Sequence, residues 1–260
     1  MILRRLTENL KQQHWTAIAI ELVIVVLGVF IGMQVSNWNE DRETNLKAAV
    51  FTERLKADLR EEDWGYQLLI AYNREVLANA ERAVNALDGK ADLSDEALLV
   101  SAYRATQYKQ RLRRRATYDE LISTGTIGLI RDQTLRDTAM RLYNTPALEN
   151  LAREGMQSRY REAFRMSLAN DVQRAIGKHC GDHITRPGDY AAIRGALDYP
   201  CRTGLSVQAI ADAAEALRSN PNMVPYLRLR IADIETRLGD LLSNNSDIME
   251  NLRAIAKEKP

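Results

Sequence analysis

The sequence predicts an all-α protein. One N-terminal transmembrane helix precedes an elongated extracytoplasmic helical bundle with long, coiled-coil-like helices. Three observations predict this. Apolar positions recur at three- and four-residue steps, and no stretch alternates with the period of two that a strand needs. No Pro occurs before residue 146, so no proline interrupts a long helix in the first half. Aromatic residues make up only 6% of the chain, while Ala, Leu, Arg and Glu are abundant.

The anchor comes first. Residues 1–14 form a short basic stretch, with Arg4, Arg5 and Lys11 against Glu8. Residues 15–38 contain the run Thr16 to Val35, apolar but for Glu21 and Gln34. About 20 residues give roughly 30 Å of helix, the thickness of a bilayer's hydrocarbon core. Trp15 and Trp38 bracket the run at the depths where interfacial aromatics sit. A secretory signal peptide is the rival reading. It fits poorly, because cuts after Gly32 or Ser36 place Phe30 or Gln34 where a small residue is needed. The basic flank predicts a cytoplasmic N-terminus in a bacterial inner membrane. Residues 39–260 then form the periplasmic domain. Within the anchor, Glu21, Gly28 and Gly32 fall on one helical face at about 100° per residue. Small residues allow close helix approach, and an intramembrane carboxylate seeks a partner. The face is a candidate packing surface for other transmembrane helices.

Two stretches carry a resemblance. One is Glu21-Leu-Val-Ile-Val-Val-Leu-Gly28 followed by Gln34-Val-Ser-Asn-Trp-Asn-Glu40. The other is Leu121-Ile-Ser-Thr-Gly125 through Ile130, before a helix ending at Tyr143. Both resemble a widespread family of uncharacterised bacterial single-pass inner-membrane proteins with a Glu-containing anchor and a Gln-x-x-Asn-Trp-Asn-Glu exit. The resemblance implies topology and no reaction.

The outer domain reads as successive helices. Leu55, Leu59, Glu62, Tyr66, Leu69, Asn73, Val76, Ala80, Val84 and Leu87 extend the first helix to a turn at Asp88-Gly89. Ser94 caps a second helix with an acidic first turn. A third covers Ala116 to Ser123, and Gly125 and Gly128 then break the chain. Asp132 caps a helix reaching Tyr143. Pro146 opens one expected to run to about Lys178. Another runs from about Ser206 to Arg218. The last segment carries a heptad seam of Leu227, Ile231, Ile234, Leu238, Leu241, Asn245, Ile248 and Leu252. That seam suits a long helix in an intramolecular bundle or a homo-oligomeric coiled coil, with Asn245 setting register.

Chemistry is sparse. Cys180 and Cys201 are expected to pair in an oxidising compartment. A zinc site with His183, or free thiols, are the alternatives. The run Lys109, Arg111, Arg113, Arg114 and Arg115 reads as a solvated helix face or a docking patch for an acidic partner. The chain carries 36 Lys and Arg against 35 Asp and Glu, so bulk charge offers nothing for nucleic acid. Catalytic fingerprints for hydrolases, nucleotide binding and zinc proteases are missing. The expectation is a non-enzymatic scaffold or accessory subunit without cofactor or metal. Its partners are the lipid bilayer and other membrane-complex subunits. A periplasmic sensor or ligand-binding module is the alternative.

Overall fold

The computed structural model describes residues 15–258. The basic stretch 1–14, on which the expected orientation rests, lies outside them. Every regular element among the described residues is helical. The chain divides into two compact units. One holds the N-terminal part to Glu53 together with Gly128–Arg131; the other holds Arg54–Ile127 and Asp132 onward.

Helix α1, Trp15–Leu87, contributes to both units. In the first unit its apolar part is uncovered. None of its most apolar window is buried by protein. Leu22 through Ile31 present large side chains all round the helix, each more than half exposed. The returning segment Gly128–Arg131 buries Ile130, and Arg131 donates to the Asn45 side chain.

The second unit is a helical bundle. Its share of α1 follows the expected register: Leu55, Leu59, Tyr66, Leu69, Val76, Ala80 and Val84 are all buried. Helix α1 ends where Gly89 takes a positive φ of 71°, a conformation open to Gly at little cost. Helix α2, Asp95–Ala105, opens on Ser94, whose hydroxyl accepts from the Ala97 amide. Helix α3 is Ala116–Ser123, and α4, Gln133–Asn144, opens on Asp132 accepting from Leu135. These caps satisfy amides that have no partner in the first turn.

The segment after Pro146 departs from expectation. It forms three helices: α5 (Ala147–Met156), α6 (Arg159–Ser167) and α7 (Asn170–Cys180). The reason lies in the apolar positions. Leu148, Leu151 and Ala152 are one buried set, Tyr160, Ala163 and Phe164 the next, and Val172, Ile176 and Cys180 the third. At about 100° per residue, a single straight helix would aim successive sets more than about 120° apart. Extended backbone at Ser158, Leu168 and Ala169 re-aims each set inward.

Helix α8, Val207–Ser219, opens on Ser206, which accepts from Ala209. The heptad seam is carried by two helices, α9 (Met223–Gly239) and α10 (Ser246–Lys257). A wider π turn at Asp240–Asn244 separates them. Asn245 leaves the helix, and its amide donates to the Asp240 carbonyl at 2.8 Å. Its side chain is therefore occupied locally, and the backbone at Asn245, with φ −120° and ψ 24°, interrupts the helix. Leu227, Ile234, Leu238, Leu241, Ile248 and Leu252 are buried within the unit, and Ile231 packs partly buried against the core. The seam thus serves the intramolecular bundle. One apolar core joins Ala80 and Ala83 of α1, Leu98 and Leu99 of α2, Tyr160 and Phe164 of α6, Ile176 of α7, Leu217 of α8 and Leu227 of α9.

Candidate functional site

Two features concentrate unusual residues: the uncovered part of α1, and an arginine strap laid on the folded part of the same helix.

On the uncovered part, Trp15 and Trp38 are both exposed. Arg42 lies over the Trp38 ring, 5.9 Å from its centroid. A Cβ added at Gly28 or Gly32 would meet nothing within 4 Å. One carboxylate oxygen of Glu21 is shielded from solvent and has no hydrogen-bond partner. Glu21, Gly28 and Gly32 therefore share a helix with no protein packed at the two glycines. The apolar surface is continuous around this stretch, far beyond the patch sizes usual on soluble monomers.

The basic run corrects its expectation. Residues 107–115 are not helical; they form an irregular strap with no assigned secondary structure. Its side chains alternate from Arg111 to Arg114. Arg111 and Arg113 turn inward, with side chains 12% and 9% exposed. Leu112 and Arg114 turn outward. The strap lands on Glu62 of α1, whose side chain is completely buried. Arg111 Nη1 donates to its Oε1 at 3.1 Å and Arg113 Nε to its Oε2 at 3.0 Å. The Arg114 backbone amide donates to Oε1 at 2.8 Å. Burial pulls the Arg113 guanidinium down, but Glu62 and Glu149 more than offset this, and its pKa is raised.

The rest of the strap is also engaged. Arg114 Nε donates to Glu61 at 2.8 Å, and Arg115 pairs with Asp119. Lys109 reaches Asp182 at 3.4 Å and sits over the Tyr72 ring. Tyr143 donates to the Arg114 carbonyl, and the Arg113 guanidinium stacks over its ring. Gly65 makes the approach feasible, because a Cβ there would land on the Arg111 guanidinium. Tyr66, one residue on, is pushed up to about 12 by burial. The patch offers an acidic partner much less than its composition suggests, since Arg111 and Arg113 already hold an internal carboxylate.

Cys180 and Cys201 form a disulfide with Cα atoms 5.4 Å apart. It ties the end of α7 to the loop before α8, and neither sulfur is left as a thiolate for zinc. Arg104 donates to the Tyr199 carbonyl at 2.8 Å and touches Cys201 Sγ at 3.5 Å. Sequence reasoning missed Glu62 as the centre of the strap. The available signal was a carboxylate in the buried register of α1, between Leu59 and Tyr66.

The model of a family of unknown function, DUF6090, matches residues 21–154. The chain belongs to this family. The residues shared with DUF6090 contain Glu21, Gly28, Gly32, Trp38, Glu62 and the whole strap. The disulfide and the seam lie outside the matched residues. No curated protein and no solved structure matches the chain.

Proposed function

We propose that this chain is a membrane-anchored, non-enzymatic scaffold or accessory subunit. Its anchor is α1 from residue 15 to residue 38, and it packs through Glu21, Gly28 and Gly32 against other transmembrane helices. The domain from residue 39 to residue 260 braces a larger membrane protein complex or a homo-oligomer from the periplasmic side of a bacterial inner membrane. One observation carries this reading: the most apolar window of α1 has no protein covering it. Water is a poor solvent for such a surface, at about 25 cal/mol per Å² of apolar area, and lipid is a good one.

Two further points support the orientation. The basic residues Arg4, Arg5 and Lys11 precede the apolar run, as expected for a cytoplasmic flank. The disulfide belongs to an oxidising compartment on the other side. Trp15 and Trp38 act as the interfacial anchors. Alkaline carbonate extraction and protease treatment of spheroplasts test the placement. Retention in the membrane pellet, with loss of the domain to external protease, is the expected result. Release into the carbonate supernatant, or protection of the domain, overturns it.

A second reading is a periplasmic ligand-binding module that signals laterally to a membrane partner. An arginine-lined pocket in the second unit favours it.

A further inference from the structure

A pocket of about 320 Å³ lies where α2, α6 and α7 meet. Arg161, Arg165 and Arg174 line it, with Asn170, Gln173 and the Phe164 ring. No Asp or Glu is among its lining residues. Nine arginines elsewhere among the described residues are placed differently. Arg54, Arg111, Arg113, Arg114, Arg115, Arg141, Arg218, Arg228 and Arg237 each pair with a carboxylate. Among the described residues, none of the three pocket arginines has such a pair.

Arg161 is the fixed member. It is partly buried, donates to the Thr106 carbonyl at 3.1 Å and lies over the Tyr108 ring. Both contacts orient the guanidinium, and neither neutralises it. Burial, and next the Arg165 charge, hold its pKa below the usual arginine value. Arg165 and Arg174 are exposed at the rim. Gln173 donates to the Arg165 and Leu168 carbonyls, both at 2.8 Å, which fixes the turn between α6 and α7. Helix α7 begins at Asn170 with no side-chain cap from Ala169. Its first-turn amides and the positive end of its dipole add to the field at this wall. Asp171 is exposed and does not line the pocket.

Three like charges converging without a counter-ion are costly unless an anion completes them. Guanidinium forks match tetrahedral oxyanions in bidentate geometry. We propose that this pocket binds a phosphate-class oxyanion through Arg161, Arg165 and Arg174. The anion comes either as a soluble phosphate or as the headgroup of an anionic phospholipid. The site lies wholly within the second unit and does not depend on the scaffold reading.

The test uses the full chain in neutral detergent and in nanodiscs. Inorganic phosphate is titrated against sodium chloride of equal ionic strength, with the melting temperature as readout. In parallel, phosphatidylglycerol nanodiscs are compared with phosphatidylcholine ones. The variant Arg165→Gln/Arg174→Gln removes the two exposed charges and leaves Arg161 and the core intact. Its melting temperature without phosphate should match or exceed the parent's, because two uncompensated like charges are removed. A saturable rise with phosphate, with affinity weakened about tenfold or more in the double variant, supports a soluble ligand. A shift seen only with phosphatidylglycerol, and lost in the variant, supports a headgroup. No saturable shift with either, or a shift that the variant retains, overturns the proposal.

Discussion

Glu62→Ala should be among the most damaging substitutions in the chain. The carboxylate is fully buried and accepts from Arg111, Arg113 and the Arg114 amide at 2.8–3.1 Å. All three bonds go to the carboxylate and are charge-assisted, worth about 1.5–3 kcal/mol each. Removing the acceptor also strands two guanidiniums that are nearly buried. Breaking one side of such a cluster costs about 3–5 kcal/mol. Arg113 keeps Glu149 at 3.0 Å, and Arg111 keeps Glu61 at 3.9 Å. The expected loss therefore lies near the lower end, about 3 kcal/mol. Urea unfolding of the full chain in detergent measures it. Fluorescence of Trp64, only 4% exposed and two residues from Glu62, reports the local environment. Trp15 and Trp38 are exposed and contribute a steady background. Replacing the cluster together, as Glu62→Leu with Arg111→Met and Arg113→Met, should restore most of the loss. A loss below about 1 kcal/mol, the range of a surface pair, refutes the strap as a buried ion cluster.

Three further outcomes follow from the same geometry. Gly65→Ala gains about 1 kcal/mol of helix propensity, yet its Cβ lands on Arg111, so the net effect should be a loss of about 1–2 kcal/mol. In the Glu62→Ala background, where Arg111 is free to move, the same change should be neutral or stabilising by urea unfolding. Reducing Cys180–Cys201, which are 21 residues apart, should cost about 3 kcal/mol, read as a lower melting temperature with reductant that Cys180→Ser/Cys201→Ser reproduces. Glu96 accepts from the Thr203 amide and hydroxyl, both at 2.8 Å, and these bonds lower its pKa from 4.5. The folded state therefore favours the ionised form. Its contribution is full above about pH 4.5 and disappears as the pH falls through the lowered folded value. The melting-temperature gap between the parent and Glu96→Gln should close over that acid range, and a constant gap contradicts the assignment.

Much of the fold was legible because it depends on local signals. The apolar run of α1 and the caps Ser94 and Asp132 are short-range patterns, and the structure carries them as expected. So is the pairing of two cysteines in loop-rich sequence. The break-up of residues 146–180 was legible only in principle. Each helix has a good apolar stripe, but continuity of the stripe had to be followed across Ser158 and Leu168. The seam at 227–255 kept a regular step through Asn245, so periodicity gave no warning of the π turn there. The strap was harder still. Arg111 and Arg113 meet Glu62 from about 50 residues away in sequence, and an ion cluster of that range leaves no periodic trace. A run of five basic residues in a window of seven looks solvated until its carboxylate is found. Glu62 in the buried register and Gly65 one turn on were the clues, and they make sense only together.

The proposed subunit role rests on the candidate packing face formed by Glu21, Gly28 and Gly32. Purification from native membranes in mild detergent, followed by intact-complex mass analysis, tests this most directly. The expected result is a stoichiometric partner or a homo-oligomer, with the association weakened by Gly28→Leu/Gly32→Leu. A lone 29.5 kDa monomer, or an association that the double substitution leaves unchanged, contradicts it.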